Sequence, residues 1–174
     1  MSYLVRKISK AKWDKIKDIT DCQQIDGDVI SDLRTMSNTL SFWRINDESE
    51  LDEAALALAA SSKTSNIEKI TIVWIPEDSF EFVRIERNSG DTIVNDLKET
   101  HRDLCDVTYG ALGKIAMVMQ NQINDLKCKI YTKKTVEQLL VNAYKSNRIT
   151  KEWCDEKLLN AIENISKSKK EKIC

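Results

Sequence analysis

The feature that most constrains the fold is an apolar run at residues 70–75, which contains one hydroxyl side chain and no charge. A strand with one solvated face alternates apolar and polar side chains, whereas a strand buried on both faces has no need to alternate. The run therefore predicts a central strand that other layers cover on both sides. Pro76 marks the end of this strand.

Three further segments predict strands. Residues 3–8 and 40–45 are rich in β-branched and aromatic side chains, which favour extended backbone. Residues 80–86 have a similar composition. The link at residues 76–79 is short, so we expect residues 80–86 to form an antiparallel hairpin with the central run.

Apolar residues three and four positions apart predict the helices. They fall at about residues 49–61, 91–105, 111–126, 135–144 and 150–165. Asp47 and Glu50 have the spacing of a capping pair for the first helix, and Thr135 and Gln138 have it for the fourth. The last two helices predict an αα-hairpin.

These elements predict a protein of the α+β class. We expect a small, mostly antiparallel sheet within residues 1–90, covered by helices, and an all-helical C-terminal part. The predicted organisation is a core domain at residues 1–126, a helical hairpin extension at 127–165 and a flexible basic tail at 166–174.

Composition excludes several classes of protein and site. No apolar run approaches the roughly 20 residues that cross a bilayer, and residues 1–10 lack the apolar segment of a secretory signal, so we expect a cytoplasmic protein. The five cysteines include no C-x-x-C pair and His101 is the single histidine, so we expect reduced thiols and no metal. A glycine-rich phosphate loop is also missing from the sequence, and we expect no cofactor.

Charge is divided unevenly along the chain. Residues 1–126 carry 15 basic and 22 acidic side chains, and residues 127–174 carry 12 and 6, within a formal net charge of -1. The basic part could bind nucleic acid, dock on the acidic part or dock on an acidic partner. Nucleic acid is the less favoured partner, because aromatic residues are not interleaved with the lysines.

A polar stretch at residues 32–41 is a candidate ligand site. A guanidinium is a planar fork of donors that can bind a phosphate or a carboxylate, and small polar side chains can complete the shell. The candidate ligand-binding residues are Arg34, Ser37, Asn38 and Thr39. The structural alternative is a turn in which these side chains satisfy their own backbone.

His101 is the one side chain whose ordinary pKa lies near neutrality, which makes it the candidate general base. On a predicted helix it would share a face with Cys105, four residues on. Asp103, two residues on, would not face it. The structural alternatives are a histidine at the edge of the core and a buried thiol, and these are the favoured interpretations.

A third pattern is loosely similar to the arginine, Ser-Thr-Ser and glutamate layout of ADP-ribosyltransferases. Arg6 lies on the predicted first strand, residues 37–39 precede the second, and Glu81 and Glu86 lie on a later one. The pattern departs from the family at residues 37–39, which read Ser-Asn-Thr, and it lacks an aromatic-rich turn before the glutamate.

The leading functional hypothesis is a non-catalytic module that binds another protein or a second copy of itself, such as a bacterial accessory, immunity, antitoxin or phage-defence factor. The predicted hairpin has more apolar surface than the sheet is expected to cover. Its candidate contacts are Trp153, Tyr144, Leu140 and Leu158. The alternative is a small effector enzyme acting on a nucleotide or nucleic acid, similar to an ADP-ribosyltransferase or a nuclease, with Arg34, Asn38 and His101 across a cleft.

Overall fold

A six-stranded antiparallel sheet lies at the centre of the computed structural model, which describes residues 1–14, 21–22, 24–60, 67–154, 156, 158–160 and 163. The strands follow the order β4-β5-β2-β1-β3-β6 across the sheet. Their bounds are β1 (Tyr3–Ile8), β2 (Leu40–Ile45), β3 (Ile70–Pro76), β4 (Arg84–Arg87), β5 (His101–Cys105) and β6 (Cys128–Tyr131).

Helices cover both faces of this sheet, so the protein has three layers. The helices are α1 (Lys10–Trp13), α2 (Gly27–Asp32), α3 (Leu51–Ala59), α4 (Tyr109–Asn124) and α5 (Lys133–Lys145). One core cluster joins α3 and α5 to one face, and a second joins α1, α2 and α4 to the other. None of the helices that the described residues form has the length and apolar character needed to cross a bilayer.

The prediction of a strand buried on both faces at residues 70–75 is confirmed, although β3 lies next to the edge strand and not at the centre of the sheet. Ile70 and Ile72 belong to the core on the α3 and α5 face, whereas Val73 and Ile75 belong to the core on the α4 face. All four side chains are fully buried. The run does not alternate because each face of β3 is covered by a helical layer.

The predicted hairpin of residues 70–86 is wrong. After β3 the chain forms a 3-10 helix, Glu77–Phe80, and crosses the sheet so that β4 pairs with β5 at the opposite edge. Phe80 is fully buried, with its ring centroid 5.5 Å from that of Phe42. Burial of this aromatic side chain over β2 directs the chain away from β3, which a short link alone does not reveal.

The predicted helix at residues 91–105 is also wrong. A 3-10 helix, Asn95–Thr100, is followed directly by β5. Leu104 and Cys105 are both buried, but they lie on opposite faces of a strand. Two adjacent apolar residues also fit the apolar stripe of a helix, so the pattern of residues 91–105 was assigned the repeat of a helix instead of that of a strand.

The C-terminal segment contributes a strand as well as helices. Short, lysine-rich β6 pairs with β3 at the edge of the sheet, so residues 127–165 are not a purely helical extension. Thr132, not Thr135, caps α5 by accepting a hydrogen bond from the Thr135 amide. A 3-10 helix, Lys151–Trp153, follows, and residues 156 and 158–160 are helical. Residues 155, 157, 161, 162, 164 and 165 of the predicted last helix lie outside the described residues, as does the tail at 166–174.

The premise that the hairpin leaves uncovered apolar surface is wrong for two of its candidate contacts. Leu140 and Leu158 are fully buried within the single chain, in the core cluster that contains α3. Tyr144 and Trp153 pack partly buried against the same cluster. The α3 and α5 face of the sheet therefore covers the stripe that was predicted to bind a partner.

Basic residues of the C-terminal part form ion pairs with acidic residues of the N-terminal part. Lys127 pairs with Glu48 at 2.6 Å, and Lys129 pairs with Asp52 at 2.9 Å. Arg148 binds Glu53 and Asp96, each at 2.6 Å. Cations after residue 126 thus dock on the acidic surface around α3. Exposed pairs of this kind contribute little stability each, but together they fix where the segment docks.

Candidate functional site

The two central strands of the sheet separate at one end. The pairing of β1 with β2 runs from Tyr3 opposite Ile45 to Val5 opposite Trp43 and stops there. Beyond that point β1 continues along β3, and β2 begins along β5. We call the gap between residues 6–8 of β1 and 40–42 of β2 the fork.

Arg6 fills part of the fork in place of ladder hydrogen bonds. Its Nη1 donates to the Ser41 carbonyl at 2.7 Å, and its Nη2 donates to the Asp32 carbonyl at 3.5 Å. The guanidinium also lies 5.6 Å from the centroid of the Phe42 ring. Burial lowers the pKa of Arg6 to about 10, so the side chain remains a cation at neutral pH.

A cavity of about 440 Å³ opens at the fork. Three cationic side chains line it, and they are Arg6, Lys7 and Arg34. The one carboxylate in its wall, Asp32, is already bonded to the Ser9 amide at 2.9 Å and to Trp13 Nε1 at 2.8 Å. Although burial opposes it, these hydrogen bonds lower the pKa of Asp32. The cavity therefore has an excess of positive charge and suits an anionic group.

A polar cluster adjoins the fork on the face of β5 that α4 does not cover. Ser41 Oγ donates to Asp103 Oδ1 at 2.9 Å, and Asn88 Nδ2 donates to Oδ2 at 3.2 Å. His101 Nε2 lies 3.9 Å from Oδ1. Because alternate residues of a strand share a face, His101 and Asp103 are neighbours, which the predicted helix excluded. Both oxygens of the Asp103 carboxylate are thus held in place.

The ring of His101 is enclosed by the connection between β4 and β5. It is 8% exposed and meets Trp43 edge to face, with centroids 5.1 Å apart. Gly90 lies against Trp43 and His101, since a Cβ at this position would overlap the Trp43 ring and lie 2.9 Å from His101 Cβ. Burial lowers the pKa of His101, so it is a neutral imidazole at neutral pH.

We expect the free energy of unfolding to fall as the pH is lowered from about 7.5 to about 5.5, around the ordinary histidine pKa. The folded-state pKa of His101 lies below the unfolded one, so the unfolded chain binds the proton first and gains stability. Urea unfolding at several pH values measures this slope. His101 is the single histidine, so His101→Gln should flatten the slope in this window, and an unchanged slope would contradict the assignment.

The structure separates the residues that the sequence analysis grouped. Ser37 and Asn38 have φ values of 53° and 59° and form a tight turn in which the Met36 and Thr39 backbones exchange hydrogen bonds. Thr39 Oγ1 also donates to the Met36 carbonyl. A turn is therefore found at residues 36–39, as in the structural alternative, and Thr39 is the residue whose side chain is shown to bond to the backbone of this turn.

Arg34, Asn38 and His101 do not line one cavity. Arg34 lines the cavity at the fork, whereas Asn38 lines a different one of about 530 Å³ beside Tyr109. His101 lies next to Asp103, and Cys105 Sγ lies 3.4 Å from Glu86 Oε2 instead of contacting His101. Of the three proposed enzyme residues, Arg34 is the one that reaches the fork.

Arg6 and Arg34 at the fork were candidates from the sequence, whereas Ser41 and Asp103 were not. Ser41 was only the last residue of a polar stretch, and Asp103 was dismissed by the helical period. No local signal identifies these two residues, because residues 101–105 lack the alternation of apolar and polar side chains that is typical of a strand. The described residues include no group of three histidine, cysteine or carboxylate side chains placed to hold a metal ion.

Comparisons with protein-family models, with curated proteins and with solved structures found no match to this chain.

Proposed function

We propose that the protein is a small enzyme that binds a nucleotide at the fork and cleaves the bond between a ribose and its base, as an ADP-ribosyltransferase does. One arrangement supports this proposal. Arg6 on β1 is bonded to the Ser41 backbone of β2, and the Ser41 hydroxyl is bonded to Asp103 on β5. A cation for phosphate on β1 and an oriented carboxylate on β5 are thus linked through Ser41 of β2, which lines the cavity together with Arg6.

In the proposal, the positive side chains that line the cavity bind the phosphates. Arg6, Lys7 and Arg34 would bind the phosphate groups of the nucleotide, because guanidinium and ammonium groups form strong hydrogen bonds to phosphate oxygens. Trp43 lines the same cavity and offers an apolar wall to a ring. A dinucleotide such as NAD has both the phosphates and the ring.

In the proposal, the Asp103 carboxylate assists the cleavage of the bond. When the bond between ribose C1′ and the nicotinamide nitrogen breaks, its electron pair leaves with the neutral nicotinamide and C1′ becomes positive. A fixed carboxylate stabilises such an oxocarbenium-like centre. Asp103 takes this role in the proposal, Ser41 and Asn88 orient it, and an acceptor hydroxyl or water then bonds to C1′ and loses its proton.

The arrangement is a modified form of the layout to which the sequence was compared. Arg6 keeps the place of the arginine on the first strand. Ser41 takes the place given to residues 37–39, and Asp103 takes the place given to Glu81 and Glu86. Glu86 is directly opposite Asp103 on β4, so it remains beside the site, whereas Glu81 is exposed after the 3-10 helix.

The test is the release of nicotinamide from NAD by the purified protein, with and without cell lysate as a source of acceptor. Asp103→Asn should lower the rate by about a hundredfold, because it removes the charge that stabilises C1′. Glu81→Gln is the matched control and should leave the rate unchanged. Absence of NAD turnover in both conditions, or full activity of Asp103→Asn, would contradict the proposal.

A second candidate is the non-catalytic binding module, on a surface other than the hairpin. Tyr109 is 88% exposed and lines the same cavity as Asn38, and Met36, next to the lining residue Thr35, is 81% exposed. Exposed aromatic and methionine side chains are enriched where proteins bind each other. If expression of the protein alters the growth of host cells, this candidate expects Tyr109→Ser to abolish that effect and Asp103→Asn to preserve it, whereas the enzyme proposal expects the reverse.

A further inference from the structure

Three arginines form a row on the sheet face opposite to Asp103. They are Arg44 on β2, Arg102 on β5 and Arg87 on β4. Arg102 is directly opposite Phe42 on one side and Arg87 on the other. Arg44 lies two residues beyond Phe42 and therefore on the same face. We call this set the arginine row.

The row places like charges next to each other. Arginines directly opposite on neighbouring strands destabilise a sheet, because their charges repel. The outer members have carboxylate partners, since Arg44 Nε binds Glu77 Oε2 at 2.8 Å and Arg87 binds Glu99. The central member has none within 4.0 Å in the part of the chain that the structure describes.

One guanidinium nitrogen of Arg102 instead donates hydrogen bonds to backbone carbonyls. Its Nη1 donates to the carbonyls of His101 at 2.7 Å and Glu99 at 3.0 Å. Burial and the nearby charges of Arg44 and Arg87 lower the pKa of Arg102, whereas Glu77 and Glu99 act in the opposite direction. The half-buried guanidinium keeps donors on its Nη2 edge for a ligand.

We propose that the arginine row binds a phosphate group, with Arg102 as the central donor and Arg44 and Arg87 on either side. Guanidinium forks match the oxygens of a phosphate, and a doubly charged anion removes the repulsion along the row. Arg44 and Arg87 are accessible, with side chains 34% and 61% exposed. The row is on the opposite face from Asp103, and it includes none of the cations that line the cavity at the fork.

The phosphate can belong to a free small molecule or to a nucleic-acid strand, and both present the same oxygens. The test is calorimetric titration of the full chain with inorganic phosphate, with a nucleoside monophosphate and with a single-stranded oligonucleotide. Arg102→Gln should weaken binding by about tenfold, because it removes a charge-assisted hydrogen bond. Arg84→Gln is the matched control, since Arg84 lies on the other face of β4 and pairs with Asp106 at 2.8 Å.

A measurement without ligand separates a binding defect from a folding defect. In low salt Arg102→Gln should unfold close to the temperature of the wild type, because relief of the repulsion along the row offsets the loss of the two backbone hydrogen bonds of Arg102. Phosphate should raise the unfolding temperature of the wild type and of Arg84→Gln more than that of Arg102→Gln. Tight binding of the oligonucleotide alone assigns the site to nucleic acid, and similar binding of all three assigns it to the phosphate itself. Failure of all three ligands to bind, or binding that is equal in Arg102→Gln and wild type, overturns the proposal.

Discussion

Leu140→Ala is expected to lower the free energy of unfolding by about 3 kcal/mol. Leu140 is fully buried between α5 and the core cluster that contains α3, so removal of its branched side chain leaves a cavity. Urea unfolding followed by tryptophan fluorescence measures the change. Partner binding, if the protein has any, should be lost only as far as the fold is lost.

Leu126→Ala is the matched control for this substitution. Leu126 is 83% exposed, so the same chemical change should alter the free energy of unfolding by less than about 0.5 kcal/mol. The core assignment of α5 fails if Leu140→Ala is as stable as wild type and loses a binding partner. That result would restore the hairpin as an association surface.

Gly113→Ala is expected to destabilise the protein by about 3 kcal/mol, although alanine is the better helix former. A Cβ at this position of α4 would overlap the carbonyl oxygen of Cys22 and lie 3.3 Å from Cys22 Cβ. Backbone atoms cannot rotate away, so the helix and the segment around Cys22 would have to separate. Thermal and urea unfolding of the purified variant measure the cost.

Gly110→Ala tests the same helix with the opposite expected sign. The nearest atom to a Cβ at position 110 is Thr108 Oγ1, at 3.9 Å, so the site has space. Alanine should therefore stabilise the protein by up to about 1 kcal/mol through helix propensity. Equal effects of the two substitutions would show that the close approach at Gly113 does not exist in solution.

Local pattern was sufficient for the elements whose burial follows from their own residues. The apolar run of β3 and the stripe of α4 identify themselves, because each is long and has one period. β5 and β6 could not be found this way. β5 has adjacent apolar residues that are buried on opposite faces. β6 is a short edge strand, and Cys128 at its start has one lysine on either side.

The order of the strands in the sheet could not be predicted from local sequence, and this also limited the prediction of the site. Ser41 and Asp103 are 62 residues apart and meet because β2 and β5 are neighbours in the sheet. The short link at residues 76–79 favoured β4 beside β3, whereas burial of Phe80 places it beside β5. Long-range register of this kind depends on the whole core and is not contained in any local window.

The most direct test of the fork as a nucleotide site is a crystal structure of the protein with ADP-ribose. We expect the phosphates within hydrogen-bond distance of Arg6 or Arg34 and the terminal ribose C1′ beside the Asp103 carboxylate. ADP-ribose bound away from the fork, or no binding in crystals or by calorimetry, would contradict the account.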